Sequence, residues 1–385
     1  MMRLKSLYLG GFKSFDAPPP MSVQGSPYER GRPLVCGDIT VLLGANGAGK
    51  SNVVSFFKML AAIATAGLQT FVGEAGTAES IFHYGSKTTP LLGAEIELVD
   101  GNTIYAYNIM LKTAPPDTLT FVLEDVRRWP SGRADANPMV LQTGHRESQL
   151  EERAAAGDEI CQSLLSFLRR CKVYQFHDTS IEARIRKSVY IEDARFLRSD
   201  AGNLAAYLYT MQQAKSEYYG RIVRTIRQVC PQFHDFDLAP SAQNDKYIIL
   251  NWKSAGHTDY LMGPHQLSDG TLRFMALATV LLQPPDKIPA VIVLDEPELG
   301  LHPSAISVLA DLVRGASMRS QVILATQSPT LVNHFTLDQI RPIEFRNGCS
   351  VFLDMNADDY ASWLEDYTTG ELWQKNVLGR NPRHG

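Results

Sequence analysis

One short stretch narrows the possible folds more than any other. Residues 39–43, Ile-Thr-Val-Leu-Leu, form an apolar run that ends abruptly in glycine. Gly44-Ala45-Asn46-Gly47-Ala48-Gly49-Lys50-Ser51 follows and matches G-x-x-x-x-G-K-S; beyond it Val54, Phe57, Leu60 and Ala61 take helical spacing. Strand, glycine loop and helix in that order make a phosphate cradle. Glycines let successive backbone N–H groups curl around phosphate oxygens, and the helix N-terminus adds its partial positive charge. Lys50 is expected to reach the β- and γ-phosphates of ATP and the Ser51 hydroxyl to coordinate Mg²⁺. The eight loop residues, with the adjoining Asn52, are the expected nucleotide-binding set.

A second buried run, Val291-Ile292-Val293-Leu294, delivers two adjacent carboxylates, Asp295 and Glu296, at its end. Successive strand side chains point to opposite sides, so one acid can face a metal ion and the next a water. Asp295 is expected to hold Mg²⁺ through water and Glu296 to orient or deprotonate the attacking water. Leu267-Ser268-Asp269-Gly270-Thr271 stands just before a helix that opens Leu272-Arg273-Phe274. A hydroxyl, a glycine backbone and a helix N-terminus together suit a second anion, although an ordinary N-cap turn has the same make-up.

In this order the motifs resemble the ABC-type ATPases of the SMC/RecF/OLD group. The signature loop there reads Leu-Ser-Gly-Gly or a close variant, and Ser268-Asp269-Gly270 is similar to that variant. The resemblance implies that Ser268, Asp269 and Gly270 contact the γ-phosphate held by another protomer, and so a head-to-tail homodimer closed around two ATP molecules. Stacking into higher oligomers is left open. The resemblance also makes Glu298-Leu299-Gly300-Leu301-His302-Pro303 the D-loop. Gln175, at the end of the buried run 172–176, corresponds to the Q-loop glutamine that would touch Mg²⁺ and relay nucleotide state. The alternative is a strand-end glutamine without a role, with His177 or Asp178 functional instead.

Leu324-Ala325-Thr326-Gln327-Ser328-Pro329 corresponds to the switch region, where relatives commonly carry histidine after the threonine and this chain carries Gln327. An amide can hydrogen-bond a γ-phosphate or water but cannot take a proton as imidazole can, so slow turnover is expected. The implied catalytic set is Glu296, Gln327 and Lys50, and the metal set is Ser51, Asp295 and Gln175. The resemblance spans about residues 1–60 and 260–345 and the surroundings of Gln175. It is strongest to compact bacterial AAA-type ATPases near RecF and OLD, which often work with a separately encoded nuclease or other effector in DNA repair or antiviral defence.

The expected architecture is α/β: a P-loop NTPase of ABC/SMC-RecF type carrying an antiparallel β subdomain and a helical lid. Residues 1–175 form the first part of the core, 176–235 a basic helical insertion, 236–345 the second part of the core, and 346–385 a strand-helix extension. Runs 94–99, 103–111 and 120–126 read as an antiparallel meander, with Asp100-Gly101-Asn102 as a hairpin turn. Pro18, Pro19, Pro20, Pro27 and Pro33 mark loops. Leu204, Leu208, Met211, Tyr218, Ile222 and Ile226 predict one long amphipathic helix over 201–230, part of a stubby arm. Trp363, Tyr367 and Trp373 either pack on the core or dock a partner. Asp354, Asp358, Asp359, Glu365 and Asp366, with no clustered histidine, read as a solvated face.

Composition removes several classes. Hydrophobic residues are 44% and charged residues 20% of 385, ordinary globular usage. The longest apolar runs, 276–282 and 290–294, are far below a membrane span of about 20 residues. Residues 1–15 lack a signal-peptide core, so a cytoplasmic location is expected. Cys36, Cys161, Cys171, Cys230 and Cys349 are odd in number and scattered, which offers neither a disulfide framework nor a zinc ribbon. A Toprim-like run and an HNH pattern are both missing, so a nuclease would be a partner.

The formal charge of -4 disfavours coating nucleic acid by bulk charge. Residues 160–230 nevertheless hold twelve Lys or Arg against six acids, leaving the remainder near -10. That surplus is either a solvated face or a surface for phosphate backbone or an acidic partner, with Arg184, Arg186 and Lys187 as its test positions. Competing functions are the nucleotide-binding subunit of an ABC transporter and an ATP-bound scaffold with little turnover.

Overall fold

The computed structural model describes residues 2–16, 32–132, 137–353 and 355–378. Pro18, Pro19, Pro20, Pro27 and Asp354 lie outside them. The first half runs β1 (Arg3–Gly10), β2 (Leu34–Val35), β3 (Ile39–Leu43), α1 (Lys50–Ile63), α2 (Leu68–Glu74), β4 (Leu92–Asp100), β5 (Thr103–Ala114), β6 (Thr118–Pro130), β7 (Met139–Val140), α3 (Leu150–Ala155), α4 (Glu159–Arg169) and β8 (Cys171–Tyr174). The second runs β9 (Val189–Tyr190), α5 (Leu204–Gln213), α6 (Glu217–Val229), β10 (Phe233–Phe236), β11 (Tyr247–Ile248), β12 (Trp252–Ser254), β13 (His257–Met262), α7 (Asp269–Leu281), β14 (Val291–Asp295), α8 (Pro303–Ser317), β15 (Gln321–Thr326), α9 (Pro329–Val332), β16 (Ile340–Arg346), β17 (Cys349–Phe352) and α10 (Thr369–Gln374).

The central sheet has the order β17-β16-β3-β15-β14-β8, parallel except for β17. Its strands are apolar on both faces, as a sheet covered twice must be. Val41, Ile292, Leu294, Val322 and Leu324 point into one core with α5, α6, α7 and α8. Leu42, Val291, Val293, Ile323 and Ala325 point into the other, with α1, α4 and the antiparallel sheet. Register aligns Asp295 with Ala325, Leu43 with Thr326 and Leu294 with Tyr174, so all four strands present their carboxyl ends along one edge.

The meander forms as expected within a second sheet, β2-β1-β4-β5-β6-β7. Asp100 pairs with Thr103 across a turn in which Gly101 takes φ 57°. Gln321 ties the two sheets: its Oε1 accepts from the Leu4 N–H at 2.5 Å, and its Nε2 donates to Leu4 O at 2.8 Å and Gly37 O at 3.0 Å.

The expected single helix over 201–230 is two. Lys215 takes φ 48°, and Ser216 caps α6 by accepting from the Tyr218 N–H. Nor is there an arm. Ile222, Val223 and Ile226 join the same core as α7 and α8, because the apolar face of α6 has nowhere else to be buried. The chain after Phe176 is mostly irregular, with one short turn at Arg184–Arg186, where basic helix was expected. Three of its cations stand at the surface beside acids, Lys187 2.6 Å from Glu182, Arg198 2.7 Å from Asp193 and Arg184 3.7 Å from Asp200, while Arg186 is buried.

At the C-terminal end Trp363, Tyr367 and Trp373 are half-buried against the core, and the Gly370 N–H donates to Asn333 Oδ1 at 2.6 Å, so these aromatics pack. Asp358, Asp359, Glu365 and Asp366 are exposed. Among the described residues no group of three or more His, Cys, Asp or Glu is arranged to hold a metal, and no helix is long and apolar enough to cross a membrane.

Candidate nucleotide site

The glycine loop bridges β3 and α1 at the carboxyl edge of the central sheet. It is braced from behind. Ser350 Oγ lies 2.7 Å from Ala48 O and 2.6 Å from Ser14 Oγ, and Asn52 Nδ2 donates to Ser14 Oγ at 2.6 Å. Gly49, at φ 114°, has its missing Cβ aimed into Ser350, so a larger residue would be strained and would also displace the brace. Lys50 is 4% exposed and donates to Gly44 O at 2.7 Å and Ala45 O at 3.0 Å. Burial pulls its pKa down; Glu296, Asp295 and Glu298 push it back up. Ser51 is exposed in the first turn of α1. Asn52, expected among the nucleotide contacts, has its amide engaged by Ser14.

β14 ends between β8 and β15, and this places Asp295 beside Gln175. Gln175 Nε2 donates to Asp295 Oδ2 at 2.7 Å, while Lys58 Nζ donates to Gln175 Oε1. Asp295 is 5% exposed, and its Oδ1 is buried without a hydrogen-bond partner. An orphaned, buried carboxylate oxygen beside an amide is the donor set a divalent cation would complete, so these residues fit Mg²⁺. His177, the alternative raised for this neighbourhood, instead places Nε2 3.1 Å from Asp295 O.

Glu296 follows at φ 45°, and its N–H donates to Ala325 O at 2.8 Å. The left-handed backbone breaks the strand there and leaves the side chain half-buried. Glu298 Oε1 accepts from Thr326 Oγ1 at 2.5 Å, its Oε2 has no partner, and burial raises its pKa. Gln327 sits directly beyond β15, and its backbone also hydrogen-bonds Glu298.

Ser268 caps α7: its Oγ accepts from the Thr271 N–H at 3.2 Å, and Ser268 and Asp269 are exposed. Gly270 lies against Gly300 O so closely that a Cβ would overlap it, which brings the signature loop onto the D-loop of the same chain. Arg273 locks this arrangement. Its guanidinium, 5% exposed, donates to Phe176 O at 2.7 Å, to His177 O at 3.2 Å and to Leu299 O. It lines one small hollow with Tyr174, Phe176, Asp295 and Glu296.

Gln175, Lys50, Asp295 and Glu296 are therefore gathered at one sheet edge, and the signature loop is joined to them through Arg273. Ser14, Lys58, Arg273 and Ser350 were missed by sequence reading, and Arg186 was picked out only as a surface cation. Ser14 lies in a recognisable Gly-Gly-Phe-Lys-Ser-Phe run; for the others no local pattern existed to find.

This topology and motif set define a P-loop ATPase of the ABC/SMC-RecF type. Residues 39–333 match the model of the family described as "AAA domain, putative AbiEii toxin, Type IV TA system", and the chain belongs to that family. Its fold is similar to that of an Smc head bound to the C-winged helix domain of ScpA (18% identity, TM-score 0.58, covering 92% of this chain and 99% of that one). It is also similar to the Smc head with an extended coiled coil bound to the C-terminal domain of ScpA derived from Pyrococcus furiosus (16%, 0.57, 95% and 99%). The Smc head with a coiled coil and joint derived from Pyrococcus yayanosii matches similarly (15%, 0.51, 95% and 99%). No curated protein matches the chain.

Proposed function

We propose that the chain binds ATP and Mg²⁺, closes a homodimer around two nucleotides, and hydrolyses them slowly as a switch for DNA or an effector. The observation that carries this reading is the buried, partnerless Asp295 Oδ1 beside Gln175 and Glu296, at the sheet edge that also holds the glycine loop. The loop N–H groups and Lys50 hold the triphosphate, Lys50 by leaving the carbonyls of Gly44 and Ala45 for phosphate oxygens. Ser51, Asp295 and Gln175 would hold Mg²⁺, which supplies charge neutralisation of the phosphates. Glu296 orients the attacking water and takes its proton, and Gln327 hydrogen-bonds the γ-phosphate without proton transfer. Ser268 and Asp269, exposed on the surface, and the half-buried Gly270 beside them serve the opposite protomer's nucleotide.

Glu296→Gln tests the reading. An active parent that loses turnover while ATP-bound dimers accumulate supports the switch; equal, negligible turnover in both favours a scaffold. Co-purification with a membrane permease would favour the transporter alternative.

The family description, with its toxin and toxin-antitoxin terms, and the ScpA-bound Smc heads support a role with a second protein; the partner we propose is a separately encoded nuclease in DNA repair or antiviral defence. For DNA, α6 is the better candidate than the positions first chosen. Arg221, Arg224 and Arg227 are exposed at three-residue spacing with Glu217 as the acid paired to Arg221. Reversing these three to glutamate should abolish salt-dependent retention on duplex DNA; unchanged retention rejects this face.

A further inference from the structure

Asp269 is the acid within the signature loop, at a position where the group's pattern has glycine. It is the first residue of α7, beside the N–H groups that would receive a partner's phosphate. A bare carboxylate there would compete for those donors and repel the phosphate. Arg186 meets it, with Nη2 2.7 Å from Asp269 Oδ1. The arginine side chain is 6% exposed and the aspartate 66%, so the cation is fixed and the anion is drawn to it. Every other donor group of that guanidinium is engaged: Nε donates to Thr179 O at 2.8 Å, and Nη1 to Pro264 O and to Leu267 O at 3.2 Å. Among the described residues the carboxylate that balances this buried arginine is Asp269, in the signature loop.

We propose that Arg186 is a positioning residue that neutralises Asp269 and holds its carboxylate off the α7 N-terminus, so that the loop can accept the γ-phosphate carried by a second copy of the chain. The inference rests on the ATP-closed dimer proposed above. Arg186 also ends the segment that leaves Gln175 and is pinned at Thr179, so one contact joins the chain behind the metal-facing glutamine to the partner-facing loop.

The test places each variant in a Glu296→Gln background and measures ATP-dependent dimerisation by sedimentation velocity. Arg186→Met should weaken the dimer about tenfold or more, and adding Asp269→Asn should restore it to within about threefold, because the charge to be neutralised is gone. Arg186→Lys, which keeps a positive charge but gives up the fork to Pro264 and Leu267, should stay within about threefold of the parent. A double variant as weak as Arg186→Met, or a methionine variant as tight as the parent, overturns the inference. So does a lysine variant about tenfold weaker, which would assign the effect to packing. A Glu296→Gln parent that stays monomeric with ATP refutes instead the dimer reading beneath it.

Discussion

Replacing Arg273 by methionine removes three hydrogen bonds from a charged donor while keeping most of the side-chain volume. The carbonyls of Phe176, His177 and Leu299 lose their partner. Hydrogen bonds to charged groups contribute about 1.5–3 kcal/mol each, so the gross loss is about 4.5–9 kcal/mol. Against it stands the desolvation of a guanidinium that is 5% exposed, worth several kcal/mol and recovered by the neutral side chain. The expected net loss is about 2–4 kcal/mol, read as a lower urea midpoint at unchanged m. Arg273→Lys, a point charge without a fork, should fall between the two. Because the three carbonyls belong to the segments flanking the acid pair, the methionine variant should also lose kcat more than it gains KM. A loss below about 0.5 kcal/mol, or a lysine variant as stable as the parent, would refute the view that this fork holds those segments together.

Glu298 gives a pH test. Burial raises its pKa, so the folded chain keeps a proton that the unfolded chain has already lost, and its stabilising contribution declines as pH rises from the ordinary carboxylate value through the raised one. Without nucleotide and Mg²⁺, the Tm advantage of Glu298→Gln over the parent should be smallest near pH 4.5 and grow toward about pH 8; a constant difference contradicts it. Cys161 and Cys171 have pKa values pushed up to about 12 by burial. Alkylation of the folded protein at about pH 8 should therefore be roughly a thousandfold slower at these positions than at an exposed thiol, and peptide mass mapping showing rapid labelling would refute this. Gln321→Leu leaves the Leu4 N–H and the Leu4 and Gly37 carbonyls unpaired between the sheets, and should cost about 3 kcal/mol by urea denaturation; a neutral result means the sheets need no such tie.

What could be read from the chain was whatever its chemistry places in consecutive residues. Gly44 to Ser51 was legible as strand, loop and helix start, and Asp295 and Glu296 as an acid pair closing a buried run, although the strand stops at Asp295 and the left-handed Glu296 departs from the expected alternation. Apolar runs likewise announced a sheet covered on both faces. Gln175 was found only because the resemblance supplied a place for it; its bond to Asp295 crosses 120 positions of sequence.

Other features were decided by packing alone. Helical periodicity ran unbroken through 201–230, yet the left-handed Lys215 and the cap at Ser216 divide it, since periodicity records which side is apolar and not where the backbone turns. The basic surplus of 160–230 could be counted but not paired: folding sets Arg184, Lys187 and Arg198 beside nearby acids at the surface, buries Arg186, and lines up Arg221, Arg224 and Arg227 on one exposed helix. The burial and partners of Arg186 and Arg273 were invisible for the same reason. Each is buried at the end of a long side chain whose partners lie as much as 83 and 97 positions away, and only a closed tertiary structure brings those groups within hydrogen-bonding reach. The sequence by itself determined the phosphate loop, the acid pair and the kind of sheet that carries them; the tertiary structure alone decided which charges face each other, because that depends on the distances folding creates.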